Sequence, residues 1–206
     1  MILNTGKRYL LAAILAFSAS LSGHASSAEV AGVKLEDSLQ LANTELKLNG
    51  AGIRYKAIFK VYVAGLYLKE KKTTVPEILA LAGPKRVSLV MLRGLSNEDF
   101  GRGFVTGIQQ NTEKAEKAKL IAQFVRFGEL FASVPELKKG DVLICDWLPG
   151  VGTVMSLNGK QMGEPFQDVA FYNAILRIWL GEKPVDNGLK KAMMAENSDD
   201  SKSTYR

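Results

Sequence analysis

The most strongly β-forming run of the chain lies between residues 58 and 68. Apolar side chains occupy both alternating sets of positions in it: Ile58, Tyr62, Ala64, Leu66 and Leu68 on one, and Phe59, Val61, Val63 and Tyr67 on the other. A strand that is apolar on both faces is covered on both faces. The pattern therefore predicts a central strand of a sheet. Gly50 and Gly52 precede this run and predict a glycine-rich turn, with Arg54 just beyond it.

Shorter apolar runs predict the rest of a mixed domain. Further strands are expected at residues 33–35, 45–48, 87–92, 140–148, 153–157 and 160–162. Helices are expected at residues 75–81, from 97 to about 108, after the charged stretch 113–119, at 166–180 and at 189–194. Because strands towards both ends of the chain enclose a central pair of helices, the predicted class is α+β. The expected form is an antiparallel sheet with helices packed on one face.

The N-terminal stretch is typical of a secretory signal peptide. Two basic residues precede an apolar segment, residues 10–21, that is short for a membrane span, and small residues allow cleavage after Ala25 or Ala28. We therefore expect residues 1–28 to be removed and the protein to be exported to the periplasm, where it is soluble rather than membrane-embedded. An uncleaved anchor is the alternative.

Residues 29–194 are long enough for one ordinary domain, and the polar tail 195–206 is expected to be disordered. Removing the signal peptide takes away two of the 27 basic residues, none of the 21 acidic ones and the single histidine, His24. Catalysis or metal binding that depends on histidine is thereby excluded for the mature protein. The excess of positive charge is small and dispersed along the chain, so we expect no nucleic-acid partner. We expect no metal and no cofactor.

Two residue types attract attention for their possible chemistry. Arg54 lies between an apolar turn and an apolar strand, so its guanidinium either reaches the rim and pairs with a carboxylate such as Asp146, or grips an anion inside an apolar pocket. Cys145, the single cysteine, lies in a predicted strand and is expected to be a small buried hydrophobe that forms no intramolecular disulfide.

Four motifs, in the same order, resemble the chalcone isomerase family, and the similarity spans roughly residues 40–194. They are the segment from Gly52 to Leu68, the run Leu95-Ser-Asn-Glu-Asp-Phe100, Gly140-Asp141 with Asn158-Gly159, and the helix end Ile178-Trp-Leu-Gly181. The best resemblance is to the bacterial exported chalcone isomerase-like group. It implies an open-faced β-sandwich, in which a large antiparallel sheet is backed by a layer of α-helices and a ligand cleft lies between them.

The resemblance also implies which positions would line that cleft. In the plant enzymes, which close a chalcone to a flavanone without a cofactor, an arginine holds the phenolate and four further polar residues bind and polarise the substrate. The arginine matches Arg54, whereas the four other positions fall on Tyr62, Phe100, Gly107 and Ile178. Three of these four have no side-chain hydrogen bond to offer. Since losing one positioned donor costs about 10²–10³ in rate, no catalytic residue is assigned.

Non-catalytic members of this fold bind fatty acids through an arginine and a tyrosine, a pair that Arg54 and Tyr62 resemble. On a straight strand these two residues would lie roughly 26 Å apart, so they share a pocket only if the chain folds back between them. The first hypothesis is a non-catalytic protein that binds a small amphiphile such as a fatty acid or another carboxylate. The alternatives are an intramolecular lyase of the chalcone–flavanone type, and a structural envelope module whose cleft holds no ligand.

Overall fold

A computed structural model describes residues 27–134 and 136–194 of the chain. The strands within these residues are β1 (Ser27–Val30), β2 (Val33–Glu36), β3 (Ser38–Leu41), β4 (Thr44–Lys56), β5 (Phe59–Leu68), β6 (Lys85–Met91), β7 (Val142–Leu148), β8 (Gly152–Leu157) and β9 (Lys160–Gln161). The helices are α1 (Val75–Ala80), α2 (Asn97–Gln110), α3 (Lys114–Ala132), α4 (Val169–Leu180) and α5 (Asn187–Met193).

The strands form one large sheet and one small one. Strands β3 to β9 lie side by side in chain order, and each neighbouring pair is antiparallel. The strands β1 and β2 form a separate antiparallel hairpin. The predicted α+β fold, a large antiparallel sheet backed by helices, is confirmed.

From Val61 to Leu68, the strand β5 is covered on both faces, as its apolar pattern predicts. The prediction is wrong for Ile58 and Phe59, which are exposed because they lie at the hairpin turn. Tyr62 and Leu66 belong to the main core between the sheet and the helices, together with the apolar arc of α4. Val63 and Tyr67 point to the opposite face, where they pack in a second cluster with Leu35 of the β1–β2 hairpin. Each face of β5 therefore belongs to a different cluster of buried side chains.

The prediction of a turn at the two glycines is wrong. Gly50 and Gly52 lie inside β4, paired with Leu66 and Ala64 of β5. They are needed because α5 packs directly on this part of the strand. A Cβ atom at position 52 would lie 2.7 Å from the Cβ of Ala192, and one at position 50 would collide with the main-chain oxygen of that residue.

Asn49 fixes the same contact through buried hydrogen bonds. Its amide nitrogen donates to the main-chain oxygens of Lys72 at 2.9 Å and Met193 at 2.8 Å, and its side-chain oxygen accepts from the main-chain N–H of Lys72 at 2.7 Å. Three distant segments of the chain are thus joined at one buried side chain.

The chain reverses between β4 and β5 rather than at the glycines. Lys56 pairs with Phe59, so Ala57 and Ile58 form a two-residue turn. Ala57 adopts a positive φ of 54°, a conformation that favours glycine or asparagine and that an alanine adopts at a cost of roughly 1–2 kcal/mol. The absence of a glycine explains why the turn carries no strong signal in the sequence.

The other differences are local. The predicted helix 166–180 begins at Val169, because Asp168 caps it and accepts a hydrogen bond from the N–H of Ala170, while Phe166 pairs with Thr153 as an isolated bridge. Ser96 is the N-cap of α2, since its hydroxyl accepts from the N–H of Asp99. Cys145 is buried in β7 and free, as expected.

Two predictions fall largely outside the residues that the structure describes: the signal peptide, apart from Ser27 and Ala28 in β1, and the disordered tail 195–206. Across residues 27–134 and 136–194, no helix has both the length and the apolar character required to cross a bilayer.

Candidate ligand-binding cleft

The β4–β5 hairpin brings together the two residues that sequence reasoning leaves far apart. Arg54 and Tyr62 are direct cross-strand partners, and the guanidinium carbon of Arg54 lies 5.6 Å from the centre of the Tyr62 ring. The reversal at Ala57 and Ile58 supplies the fold-back that a shared pocket requires. Both side chains point towards the helical layer.

A cleft of about 390 Å³ opens beside this pair, between the end of the sheet and the helices α2 and α4. The strands contribute Arg54, Val61, Tyr62 and, at the rim, Lys56, Ala57, Phe59 and Arg93. The helices and the segments that flank them contribute Leu95, Asp99, Phe100, Gly103, Phe104, Ile178 and Val185. Most of these side chains are apolar. Three of the four charged ones are cationic, so the cleft favours a molecule with an apolar body and an anionic end.

Arg54 has the environment of an anion-binding residue. It is half-buried, and its Nε atom is buried with no hydrogen-bond partner among the described residues. The alternative of a pair with Asp146 is wrong. The carboxylate of Asp146 accepts two hydrogen bonds from Arg86, both at 2.7 Å, which leaves it committed elsewhere. Buried polar atoms without partners are rare in folded proteins, and an unpartnered guanidinium nitrogen beside a cleft is suited to an external anion.

The Asp186 carboxylate contacts the β4–β5 hairpin. One of its oxygens accepts the main-chain N–H of Tyr55 at 2.9 Å, and the other caps α5 by accepting the N–H of Leu189 at 3.0 Å. Among the described residues, the ion pairs within 4.0 Å involve other arginines and lysines, not Arg54. Asp186 therefore holds the hairpin against α5 without neutralising the Arg54 guanidinium.

Tyr62 is oriented by a hydrogen bond inside the core. The indole N–H of Trp179 donates to the Tyr62 hydroxyl oxygen at 3.0 Å, so this bond leaves the hydroxyl hydrogen unused. Burial raises the pKa of Tyr62 to about 12, although Arg54 and the Trp179 hydrogen bond act in the opposite direction. The side chain is therefore a neutral hydrogen-bond donor at ordinary pH.

Two of the remaining predicted residues line the cleft and one does not. Phe100 and Ile178 contribute apolar surface to it, and both are buried. Gly107 lies at the contact of α2 with α4, where a Cβ atom would lie 2.9 Å from the Cγ2 atom of Ile178. Ile178 thus fills the space that a side chain at position 107 would require.

Sequence reasoning missed the second arginine at the cleft. Arg93 lies just after β6, and its guanidinium carbon sits 4.8 Å from the centre of the Phe59 ring. This arginine follows a buried apolar strand directly, a setting comparable with that of Arg54. That similarity is the one signal in the sequence that could have identified it.

The comparisons with known proteins agree with this architecture. The family described as chalcone isomerase-like matches residues 27–195. The chain belongs to that family. Its fold is also similar to the crystal structure of a fatty-acid-binding protein from Arabidopsis thaliana, with a TM-score of 0.63 and 17% identity. That likeness covers 79% of this chain and 92% of the plant protein. No curated protein sequence gives a significant match.

Membership of the chalcone isomerase-like family confirms the resemblance. The five positions that the resemblance selects lie at or beside one cleft. Arg54, Tyr62, Phe100 and Ile178 face one cleft, whereas Gly107 supports its wall through Ile178. The cleft retains a cation and a hydroxyl donor on adjacent strands, and its helical side offers apolar side chains at positions 100 and 178.

Proposed function

We propose that this protein is an exported, non-catalytic binding protein for a small amphiphile with an anionic head, such as a fatty acid. The head would lie against Arg54 and Tyr62, and the apolar part would fill the cleft. The observation that carries the proposal is the Arg54 guanidinium, which faces an apolar cleft with a buried Nε atom that has no partner among the described residues.

The head-group site combines two kinds of donor. The guanidinium of Arg54 offers N–H groups in a planar fork that matches a carboxylate, and hydrogen bonds between charged partners are stronger than neutral ones. The Tyr62 hydroxyl can donate one further hydrogen bond, since its oxygen already accepts from Trp179. A carboxylate placed here would satisfy Arg54 without displacing any contact of the folded chain.

The rest of the cleft suits an apolar chain. Its volume of about 390 Å³ lies within the range of about 300–1,000 Å³ that is usual for small-molecule sites. Phe100, Phe104 and Ile178 form its inner wall. The fatty-acid-binding protein from Arabidopsis thaliana, whose fold is similar, supports the same class of ligand.

The two alternatives are less well supported. A structural module without a ligand predicts no cavity beside Arg54 and a guanidinium paired with a protein carboxylate, and both features differ from what is observed. An intramolecular lyase would need positioned hydrogen-bond donors on the helical side of the cleft. Phe100 and Ile178 provide none, and Gly107 has no side chain to provide one.

The test is titration of the purified protein with hexadecanoate by calorimetry, after native mass spectrometry has identified any acyl molecule that co-purifies. Arg54→Gln is expected to weaken hexadecanoate binding by about 10- to 100-fold, because a hydrogen-bonded charge contact is lost. Arg102→Gln is the matched control, since Arg102 is exposed on α2, pairs with Glu98 and does not line the cleft.

Three results would contradict the proposal. They are absence of hexadecanoate binding by the unaltered protein, equal binding of hexadecanoate and its methyl ester, and equal loss of affinity in the two arginine variants. The methyl ester matters because it retains the apolar chain and lacks the negative charge that Arg54 would recognise.

A further inference from the structure

The tip of the β4–β5 hairpin is an apolar projection at the mouth of the cleft. Ile58 is 84% exposed, Phe59 54% and Tyr55 43%. These are three of the seven exposed large apolar side chains among the described residues, and they fall within five consecutive positions. An isolated exposed apolar residue needs no explanation, but a group of them on a protruding turn marks a surface that is covered by something else.

The charged side chains on the tip itself are all cationic, and the two carboxylates near it are Asp186, on the N–H of Tyr55, and Asp99, in the cleft. Arg54, Lys56 and Lys60 are the charged residues of the segment 54–60, and Arg93 stacks over the Phe59 ring from the neighbouring strand end. Lys56 and Lys60 are exposed. Apolar side chains at the end of a projection, with lysines and arginines beside them, are the arrangement that binds the boundary region of an anionic bilayer.

The position of the tip relative to the cleft is the third observation. Lys56, Ala57 and Phe59 belong both to the hairpin tip and to the rim of the cleft. A surface on which the tip rested would therefore face the cleft opening. Ala57 holds its positive φ at the same point, so the projection is kept by a conformation that alanine adopts at a cost.

We propose that the hairpin tip, residues 55–60, docks on the surface of an anionic phospholipid bilayer and opens the cleft towards the lipid. Ile58 and Phe59 enter the boundary of the acyl chains, while Lys56 and Lys60 contact the head groups. The reason for docking, though not the docking itself, rests on the proposed function. An amphiphile with an acyl chain partitions into bilayers, and from a docked protein it would pass between the membrane and the cleft without crossing water.

The partner is identified as a bilayer by charge and shape together. A second copy of the chain would bring a cationic tip against another cationic tip, which is unfavourable. A lipid surface accepts a narrow projection of two or three apolar side chains with no matching groove. It also supplies negative charge to Lys56, Lys60 and Arg93, none of which has an ion-pair partner within 4.0 Å among the described residues.

The experiment is flotation of the purified protein with vesicles made from equal parts of phosphatidylcholine and phosphatidylglycerol, compared with phosphatidylcholine alone. We expect partitioning onto the anionic vesicles that weakens as salt is added. Ile58→Ser should reduce the partition coefficient by about tenfold, because the variant lacks the apolar side chain that the bilayer would bury. Lys60→Gln should reduce it by about fivefold.

Matched controls are available on α3. Ile121 is 60% exposed and Lys119 is exposed, and neither lies on the hairpin. Ile121→Ser and Lys119→Gln should each change partitioning by less than about twofold, because neither residue belongs to the hairpin tip or lines the cleft. Equal losses in the hairpin and α3 variants would overturn the proposal. So would a protein that ignores anionic vesicles altogether, which would instead assign the tip to a protein partner.

The outcome can be separated from that of the proposed function. Ile58 and Lys60 do not line the cleft, so their variants should bind hexadecanoate in vesicle-free solution as the unaltered protein does. Vesicle binding without hexadecanoate binding would sustain the docking surface and contradict the proposed ligand. Hexadecanoate binding without vesicle binding would sustain the proposed ligand and contradict the docking surface.

Discussion

Trp179 donates its indole N–H to the hydroxyl oxygen of Tyr62 at 3.0 Å, in a part of the core where both side chains are buried. The bond ties the last long helix to the central strand. It also holds the side chain of Tyr62 in place beside the cleft. One hydrogen bond thus serves the stability of the fold and the geometry of the cleft.

The first prediction concerns this bond. Tyr62→Phe leaves the Trp179 N–H buried without its partner, which should lower the free energy of unfolding by about 1–3 kcal/mol and weaken hexadecanoate binding. Tyr172→Phe is the comparison, because the Tyr172 hydroxyl is buried without a hydrogen-bond partner among the described residues. Removing it should be neutral or stabilising. Urea unfolding of both variants measures the difference, and equal destabilisation would refute the assignment.

The second prediction concerns Gly107 and Ile178. Gly107→Ala introduces a Cβ atom 2.9 Å from Ile178 Cγ2, so we expect a loss of about 1–3 kcal/mol despite the better helix propensity of alanine. In an Ile178→Ala background the same change should be neutral or favourable. Gly128→Ala, on α3 with open space around it, should stabilise the protein by up to about 1 kcal/mol. A double-mutant cycle with no coupling energy would contradict the packing argument.

The third prediction concerns α5 on the glycine face of β4. Gly52→Ala places a Cβ atom 2.7 Å from that of Ala192 and should destabilise the protein by about 1–3 kcal/mol. Adding Ala192→Gly removes one of the two colliding atoms, so the double variant should be more stable than the sum of the single changes implies. Thermal or urea unfolding decides the matter, and strict additivity would show that the two residues do not meet.

The fourth prediction concerns alkaline pH. Burial raises the pKa of both Tyr62 and Tyr67 from 10.0 to about 12, and it also raises the pKa of Tyr172. The folded state therefore keeps protons that the unfolded state has already lost. Stability should be unaffected by these groups below about pH 10 and should fall between about pH 10 and about 12.

Ultraviolet difference spectroscopy checks that prediction directly, since three of the six tyrosines should ionise late and only as the protein unfolds. The slope of stability against pH should be smaller in Tyr62→Phe. An unfolding free energy that stays level across this window would be inconsistent with buried neutral phenols.

The fifth prediction concerns export. In β1, Ser27 pairs with Glu36 and Ala28 pairs with Leu35 across the first hairpin. Cleavage after Ala25 keeps both residues in the mature chain, whereas cleavage after Ala28 removes half of β1. We therefore expect a mature N-terminus at Ser26. Intact-mass measurement of the exported protein tests this, and a chain that begins at Glu29 would contradict it.

The features that follow from local pattern were predictable. The two-sided apolar pattern of β5 predicts its burial, and Ser96 predicts the start of α2 from its capping chemistry. The glycines at 50 and 52 were misread because their reason lies in α5, about 140 residues further along the chain. The sequence does not distinguish a glycine that lets a helix pack closely on a strand from a glycine that permits a turn.

The candidate site also has features that the sequence predicts and features that only the strand pairing reveals. Family resemblance singles out Arg54 and Tyr62, and both line the same cleft. Their contact depends on a two-residue turn built from Ala57 and Ile58, neither of which is a typical turn former. Arg93 was missed because its relation to the cleft arises from the pairing of β5 with β6. Which residues meet across two strands depends on the register of their pairing, and that register cannot be read from one segment of the sequence.

The buried bonds of Asn49 set a limit on when the molecule can finish folding. Its partner at the main-chain oxygen of Met193 lies 144 residues further along the chain, and the glycine face of β4 stays uncovered until α5 is present. The protein therefore cannot complete its core during synthesis until nearly the whole chain has left the ribosome. The export that we propose would therefore move the chain through a translocation channel before α5 has covered this part of the core.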